Sequence, residues 1–246
     1  ELWEIGGKQR REESETEQAC ETCKGARWLV NRSVHPAHGS ASVRCPDCWH
    51  TWWAAQIARR WRLTDEEKAI AAKPFRARRE APEMANVYRT VKAFGDRVIS
   101  GDADMLAITG PVGIGKTHLG LMLYAQALKG ERGVIFRTAT SIQKILQNFG
   151  HDDESRREAN HRREIAMKDL TTTPLLILDE AERATGEWYE NQMLDIINIR
   201  RANRLATAIT GNNLYLLPAP ILSRARSRGC DFIELANVPD ARAILG

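Results

Sequence analysis

Apolar residues recur along this chain in two rhythms, and the change from one to the other divides it. Trp49, Trp53, Ile57 and Trp61 stand four apart, a spacing that stacks them on one face of a helix. From Ala103 onward the texture changes to short apolar runs at 105–109, 133–136, 175–178, 207–210 and 231–235, each separated by a helical or polar stretch. Short continuous runs alternating with helices predict parallel strands covered on both faces. The expected fold class is therefore α/β, a parallel sheet with helices on both sides. Residues 1–18 are polar and Glu-rich with no sustained period, which reads as a loose or partly helical tail. Between the Trp-rich helix and the core, residues 64–102 are basic and helix-prone, broken by Pro74 and Pro82. The plan is a tail at 1–18, a cysteine module ending in the Trp-rich helix at 19–63, a basic helical linker at 64–102 and the α/β core at 103–246. No internal repeat is visible.

Composition narrows the class. With 246 residues, 43% of them hydrophobic and 28% charged, the chain can bury a core and is no disordered tail. It contains no apolar run of eighteen residues, so no membrane partner is expected. The start, Glu1-Leu2-Trp3-Glu4-Ile5, has neither an initiator Met nor the charged and apolar regions of a signal peptide. The expected location is the cytoplasm, and the numbered chain reads as a fragment or a processed form. The net charge of +4 is unevenly placed: residues 1–100 hold 18 basic against 14 acidic side chains, and residues 101–246 hold 18 of each. Arg59, Arg60, Arg62, Arg76, Arg78 and Arg79 concentrate the surplus. Such a patch attracts phosphate backbones or acidic protein faces, and it is equally the composition of a solvated helical surface.

The chemistry sits on the core. Gly110-Pro111-Val112-Gly113-Ile114-Gly115-Lys116-Thr117 matches GxxxxGK[ST] and lies between an apolar strand and the helical run that opens at His118. Glycines let the chain curl until its amides point inward at phosphate oxygens, and the following helix adds its positive end. In that pattern Lys116 contacts the β and γ phosphates and the Thr117 hydroxyl holds Mg²⁺. The run at 175–178 delivers Asp179 and Glu180 at a strand's C-terminal end, the edge at which open α/β sheets bind ligands. Asp179 suits the Mg²⁺ shell and Glu180 the polarising of a water that attacks the γ phosphate. Thr210-Gly211-Asn212-Asn213 ends another strand and brings an Asn amide near that water. Residues 221–228 carry Arg224, Arg226 and Arg228 before the last strand, where one arginine reaching a neighbouring subunit's γ phosphate would make hydrolysis depend on assembly.

Together the phosphate loop, the acid-ended strand, the helix near 188–204, the Thr-Gly-Asn turn and the Ser-Arg-Ala-Arg segment resemble the AAA+ (ASCE-type) ATPase core of bacterial DnaC-type helicase loaders, over roughly residues 85–246. The IstB transposition ATPases share that core. The resemblance implies ATP and Mg²⁺ at Gly110 to His118 with Asp179, Asn212 as the sensor of the γ phosphate, and Arg224 as a finger acting in trans. It also makes Arg242, in the stretch 238–242, a candidate for a second sensor. Where this turn reads Thr-Gly-Asn-Asn the family usually has Thr-Ser-Asn, so Asn213 is the alternative sensor. Only eleven residues follow Leu235, too few for a full helical lid.

Cys20-Glu21-Thr22-Cys23 and Cys45-Pro46-Asp47-Cys48 form two CxxC knuckles with 21 residues between them, close to zinc-ribbon spacing. Each knuckle aims two thiolates at one Zn²⁺, with strands expected at 27–30 and 41–44. Disulfides are the alternative, set against by the expected reducing compartment. His35, His38 and His50 are further possible ligands, but four cysteines already fill the shell. Four thiolates around Zn²⁺ carry a net charge of −2, lowering the N-terminal surplus of +4 to +2. Cys230 reads as a small buried residue. Six of the seven tryptophans lie within the first 61 residues, which favours a hydrophobic seam or docking surface over base stacking. By resemblance, the N-terminal module would grip a replicative helicase while the core, self-associated through ATP, handles single-stranded DNA. The competing readings are an IstB-like ATPase directing a transposase to target DNA, a zinc-ribbon nucleic-acid adaptor with a slow ATP switch, and a small-molecule kinase, for which no acceptor pocket or lid is visible.

Overall fold

The computed structural model describes residues 20–31, 41–73, 83–147 and 153–235. The tail, His35, His38, Pro74, Arg76, Arg78, Arg79, Pro82 and the stretch holding Arg242 lie outside the described residues. The chain divides between Trp52 and Trp53 into two compact units.

In the first unit β1 (Trp28–Asn31) and β2 (Ala41–Arg44) pair antiparallel, with Trp28 opposite Arg44. The backbone of each knuckle turns tightly. Lys24 N–H donates to Cys20 O at 2.7 Å and Ala26 N–H to Cys23 O at 2.9 Å, helped by positive φ at Lys24, Gly25 and Arg27. After the second knuckle helix α1 (Trp49–Arg60) begins, and Trp49 packs its ring 4.6 Å from Trp28 and 5.1 Å from Trp52.

In the second unit β3 (Met105–Thr109), β4 (Val134–Thr138), β5 (Leu175–Asp179), β6 (Ala206–Gly211) and β7 (Asp231–Glu234) form one parallel sheet in the order β4-β5-β6-β3-β7. The unbroken apolar runs have a simple cause, since alternate residues feed two different cores. Leu106, Ile108, Leu175 and Ile177 join the cluster under α3 (Glu83–Ser100) and α4 (Lys116–Lys129). Met105, Ala107, Leu176 and Leu178 join the cluster under α5 (Ala139–Leu146), α6 (Asp153–Thr172), α7 (Glu187–Ala202) and α8 (Ala219–Ala225). The stretch read as a linker belongs to this unit. Its α2 (Asp65–Ala71) starts on a Thr64 capping box, and α3 buries Val87, Val91, Phe94 and Val98. At the end of α1, Ile57 is fully buried, and the Trp61 indole N–H donates to Asp169 Oδ2 at 2.9 Å, where Arg60 also pairs at 3.1 Å. Burial pushes the Asp169 carboxyl up from its ordinary value against these two partners. No helix among the described residues is long and apolar enough to cross a membrane.

Arg200 of α7 is fully buried, and burial lowers its pKa to about 9, so it stays protonated at neutral pH. Its guanidinium donates to Thr207 Oγ1 (2.9 Å), Leu170 O (2.6 Å), Thr173 O (2.9 Å) and Ala206 O, tying the end of α6 to the starts of β5 and β6. Arg200→Met is expected to lower stability by about 2–5 kcal/mol, because the acceptors are left in a dry site. A urea midpoint unchanged from the parent would refute this.

Candidate functional site

The edge formed by the C-terminal ends of β3, β5 and β6 carries the phosphate-loop residues and the acids in one cleft. Placing β6 between β3 and β5 makes this possible, because the ends of all three strands then converge. The loop between β3 and α4 bends through positive φ at Gly113 (81°) and Gly115 (93°), conformations costly for any residue with a Cβ. The turn brings Lys116, the first residue of α4, back over the loop. Its Nζ donates to Gly110 O (2.8 Å), Pro111 O (2.7 Å) and Asn212 Oδ1 (2.9 Å), and the side chain is buried. Thr117 Oγ1 donates to Asp179 Oδ2 at 2.8 Å, while Asp179 Oδ1 accepts from Thr210 Oγ1 and from the Glu180 amide. Both oxygens of a buried carboxylate are thereby aimed and satisfied.

Glu180 opens a 3₁₀ turn (Ala181–Arg183) with φ 51°, and its Oε2 pairs with Arg183 Nη1 at 3.2 Å. The cleft holds about 420 Å³, within the range of small-molecule sites. Lys116, Thr117, Asp179, Glu180, Arg183, Gly211 and Asn212 line its polar part, and Ile70 and Val112 line an apolar part beside Gly113, Gly115 and His118. The His118 ring also meets Lys73 O at 2.8 Å. Ile114 is buried below the loop.

Of the two asparagines, Asn212 faces the cleft. Asn213 does not line it: it caps the next turn, its Oδ1 accepting from Tyr215 N at 3.1 Å, and lines a neighbouring cavity of about 310 Å³ that Asn212 shares with Tyr215 and Glu234. Arg224 is not brought to this cleft. Its Nε donates to Asn198 Oδ1 at 2.5 Å and its Nη1 to Pro220 O at 2.7 Å. The sequence motifs assign no role to Ile70, Glu182, Arg183 or Thr210, which the fold brings to the site. The last three stand two or three positions from Glu180 or Asn212, in the same two turns, so the local sequence carried a signal for them. Ile70 carries no local signal, because it enters the cleft from a helix far upstream.

The four sulfurs of Cys20, Cys23, Cys45 and Cys48 lie within 4.8 Å of one another, the Cys20–Cys45 pair at 3.8 Å and the Cys23–Cys48 pair at 3.5 Å. A tetrahedral ion with metal–sulfur bonds of about 2.3 Å needs sulfurs about 3.8 Å apart, so the set fits Zn²⁺. Burial would push the Cys23 thiol up, but the Arg27 amide at 3.3 Å and the neighbouring sulfurs outweigh it and bring it to about 7. At Cys48 the Arg27 side chain favours the thiolate, yet burial and the other three thiols together push it up to about 12. Four thiols this close ionise together only around a cation.

The family model described as AAA domain matches residues 99–216. Among curated protein sequences none matches the chain. A crystal structure of the DnaC helicase loader superposes with a TM-score of 0.55 at 16% identity, over 70% of this chain and 99% of that one. A putative primosome component from Streptococcus pyogenes gives 0.53 at 18% identity, over 75% and 98%. The replication initiator DnaA bound to AMPPCP and single-stranded DNA gives 0.51 at 18%, over 63% of this chain and 48% of that one, so the chain spans about half of that initiator. At these identities the likeness is one of fold: the second unit has the P-loop AAA+ fold, as the motif order had implied.

Proposed function

We propose that this chain is an ATPase of DNA replication that loads or remodels a hexameric replicative helicase, binding single-stranded DNA and hydrolysing ATP between its own subunits. The observation that carries the reading is the pair of contacts Thr117–Asp179 and Lys116–Asn212, which joins three strand ends around one cleft. Its support for a loader over other AAA+ machines is that the loader and primosome folds are covered almost end to end, at 99% and 98%. The cysteine set would hold a structural Zn²⁺.

The chain's residues account for the chemistry. The loop amides and the amino end of α4 bind and orient the triphosphate. Lys116 already sits among three oxygens, so phosphate oxygens can replace the loop carbonyls around its ammonium with no movement of the backbone. Thr117 and Asp179 would hold Mg²⁺, which supplies charge neutralisation on the β and γ phosphates. Glu180 takes a proton from the attacking water as the water oxygen bonds to the γ phosphorus, and the bond to the leaving ADP oxygen breaks. The Glu180–Arg183 pair must open for this. At 34% and 56% side-chain exposure it is a weak contact, worth no more than about 1 kcal/mol. Asn212 orients the γ phosphate or its water. Arg224 of a neighbouring subunit would supply the last positive charge once released from Asn198.

Lys116→Ala is expected to weaken MgATP and MgADP binding at least a hundredfold by calorimetry, since a charge-assisted contact to two phosphates is lost. Binding within threefold of the parent would overturn the site. Co-purification separates the partners: a ring helicase supports the loader reading, and a transposase replaces it.

A further inference from the structure

Glu182 plays no part in the mechanism above, yet it touches the residue expected to sense the γ phosphate. Its Oε1 accepts the Asn212 backbone N–H at 2.7 Å, while its Oε2 is buried with no hydrogen-bond partner. The same carboxylate explains why position 211 is glycine. A Cβ there would stand 2.2 Å from Glu182 Oε2 and 2.6 Å from Leu214 Cδ2. Leu214 is fully buried, and moving the carboxylate aside breaks its bond to Asn212. Asn212 in turn presents its side-chain oxygen to Lys116 at 2.9 Å.

We propose that Glu182 is a positioning residue: by accepting the Asn212 amide through the space left by Gly211, it fixes the Asn212 side chain against Lys116 and the γ phosphate. The unpaired oxygen marks what this arrangement demands, because the carboxylate is oriented for one backbone amide at the expense of its second acceptor. The role belongs to hydrolysis and not to ground-state binding, since the phosphates are gripped by the loop and Lys116 whether or not Asn212 is aligned. The inference rests on the ATPase reading, and the test separates the two.

MgATP turnover and MgADP affinity are measured on the full chain for the parent and for Glu182→Ala, Glu182→Gln, Gly211→Ala and the double variant Glu182→Ala with Gly211→Ala. Losing the hydrogen bond to a charged acceptor is expected to lower kcat ten- to a hundredfold in Glu182→Ala, with KM within threefold. Glu182→Gln keeps an acceptor for the amide and should stay within threefold of the parent. Gly211→Ala should lose at least as much as Glu182→Ala, because its Cβ also presses on Leu214, and the double variant no more than Gly211→Ala alone, because the Glu182–Asn212 contact is already broken there. Unchanged kcat in Glu182→Ala, equal losses in the Ala and Gln variants, or multiplying losses in the double variant would each overturn the proposal. Loss of MgADP binding in Glu182→Ala would also overturn it, by making Glu182 a structural buttress. An inactive parent that binds no nucleotide would instead remove the ATPase reading itself.

Discussion

Glu180→Gln is expected to lower ATP turnover by about 10²–10⁴-fold while leaving MgATP affinity within a few-fold of the parent. Gln keeps the size and shape of the side chain on a turn whose backbone is held at φ 51°, so the local fold is undisturbed. What it loses is the ability to take the water's proton. The groups expected to grip the nucleotide are untouched: Lys116 keeps its three acceptors, and Thr117 keeps Asp179. The one contact given up is the half-exposed pair with Arg183, so melting temperature should scarcely move. Phosphate release and nucleotide titration on the same preparation decide the matter. Unchanged turnover in Glu180→Gln, beside lost binding in Lys116→Ala, would leave a nucleotide switch and remove the hydrolytic mechanism.

The sheet was legible because parallel strands buried on both faces are apolar at most positions, and the runs ending at Thr109, Asp179 and Gly211 stand out locally. The strand order was not legible. Nothing within β6 says that it inserts between β3 and β5, yet this insertion brings Asn212 to Lys116. The cleft divides in the same way. Lys116, Thr117, Asp179 and Glu180 follow from short motifs whose chemistry demands those residue types. Ile70 arrives from α2, a short helix that reads as linker because it opens on a full turn of charged residues, Asp65, Glu66, Glu67 and Lys68. The choice between Asn212 and Asn213 was open for a geometric reason: adjacent residues point to opposite sides of a chain leaving a strand, and only the fold says which side faces the cleft. The basic surplus before the core likewise turns out to have local uses in part, with the Arg60 guanidinium held by Asp169 and Arg62 Nε donating to Arg59 O.

Removing zinc, by chelation or by Cys45→Ser, is expected to unfold the first unit while MgATP affinity stays within about twofold of the parent. The argument starts from how little else holds that unit. Its two strands are four residues long, and among the described residues its buried apolar side chains are Cys23, Cys45 and Trp49, two of them the cysteines themselves. A hairpin of this size does not stand alone in water. A four-thiolate Zn²⁺ site contributes about 10–16 kcal/mol, far more than those contacts, so a bound ion would decide whether the fold exists. Cys45→Ser replaces a soft thiolate by a hydroxyl and leaves a fully buried position without its metal bond. The expected readouts are a fall in metal content from one zinc per chain towards none, and loss of the near-ultraviolet signal from the Trp28–Trp49 ring pair. Every residue lining the nucleotide cleft comes from the second unit, which is why its affinity for MgATP should survive. Amide protection at 28–31 and 41–44 that persists after chelation would show that the hairpin stands on its own packing and would remove zinc from the account.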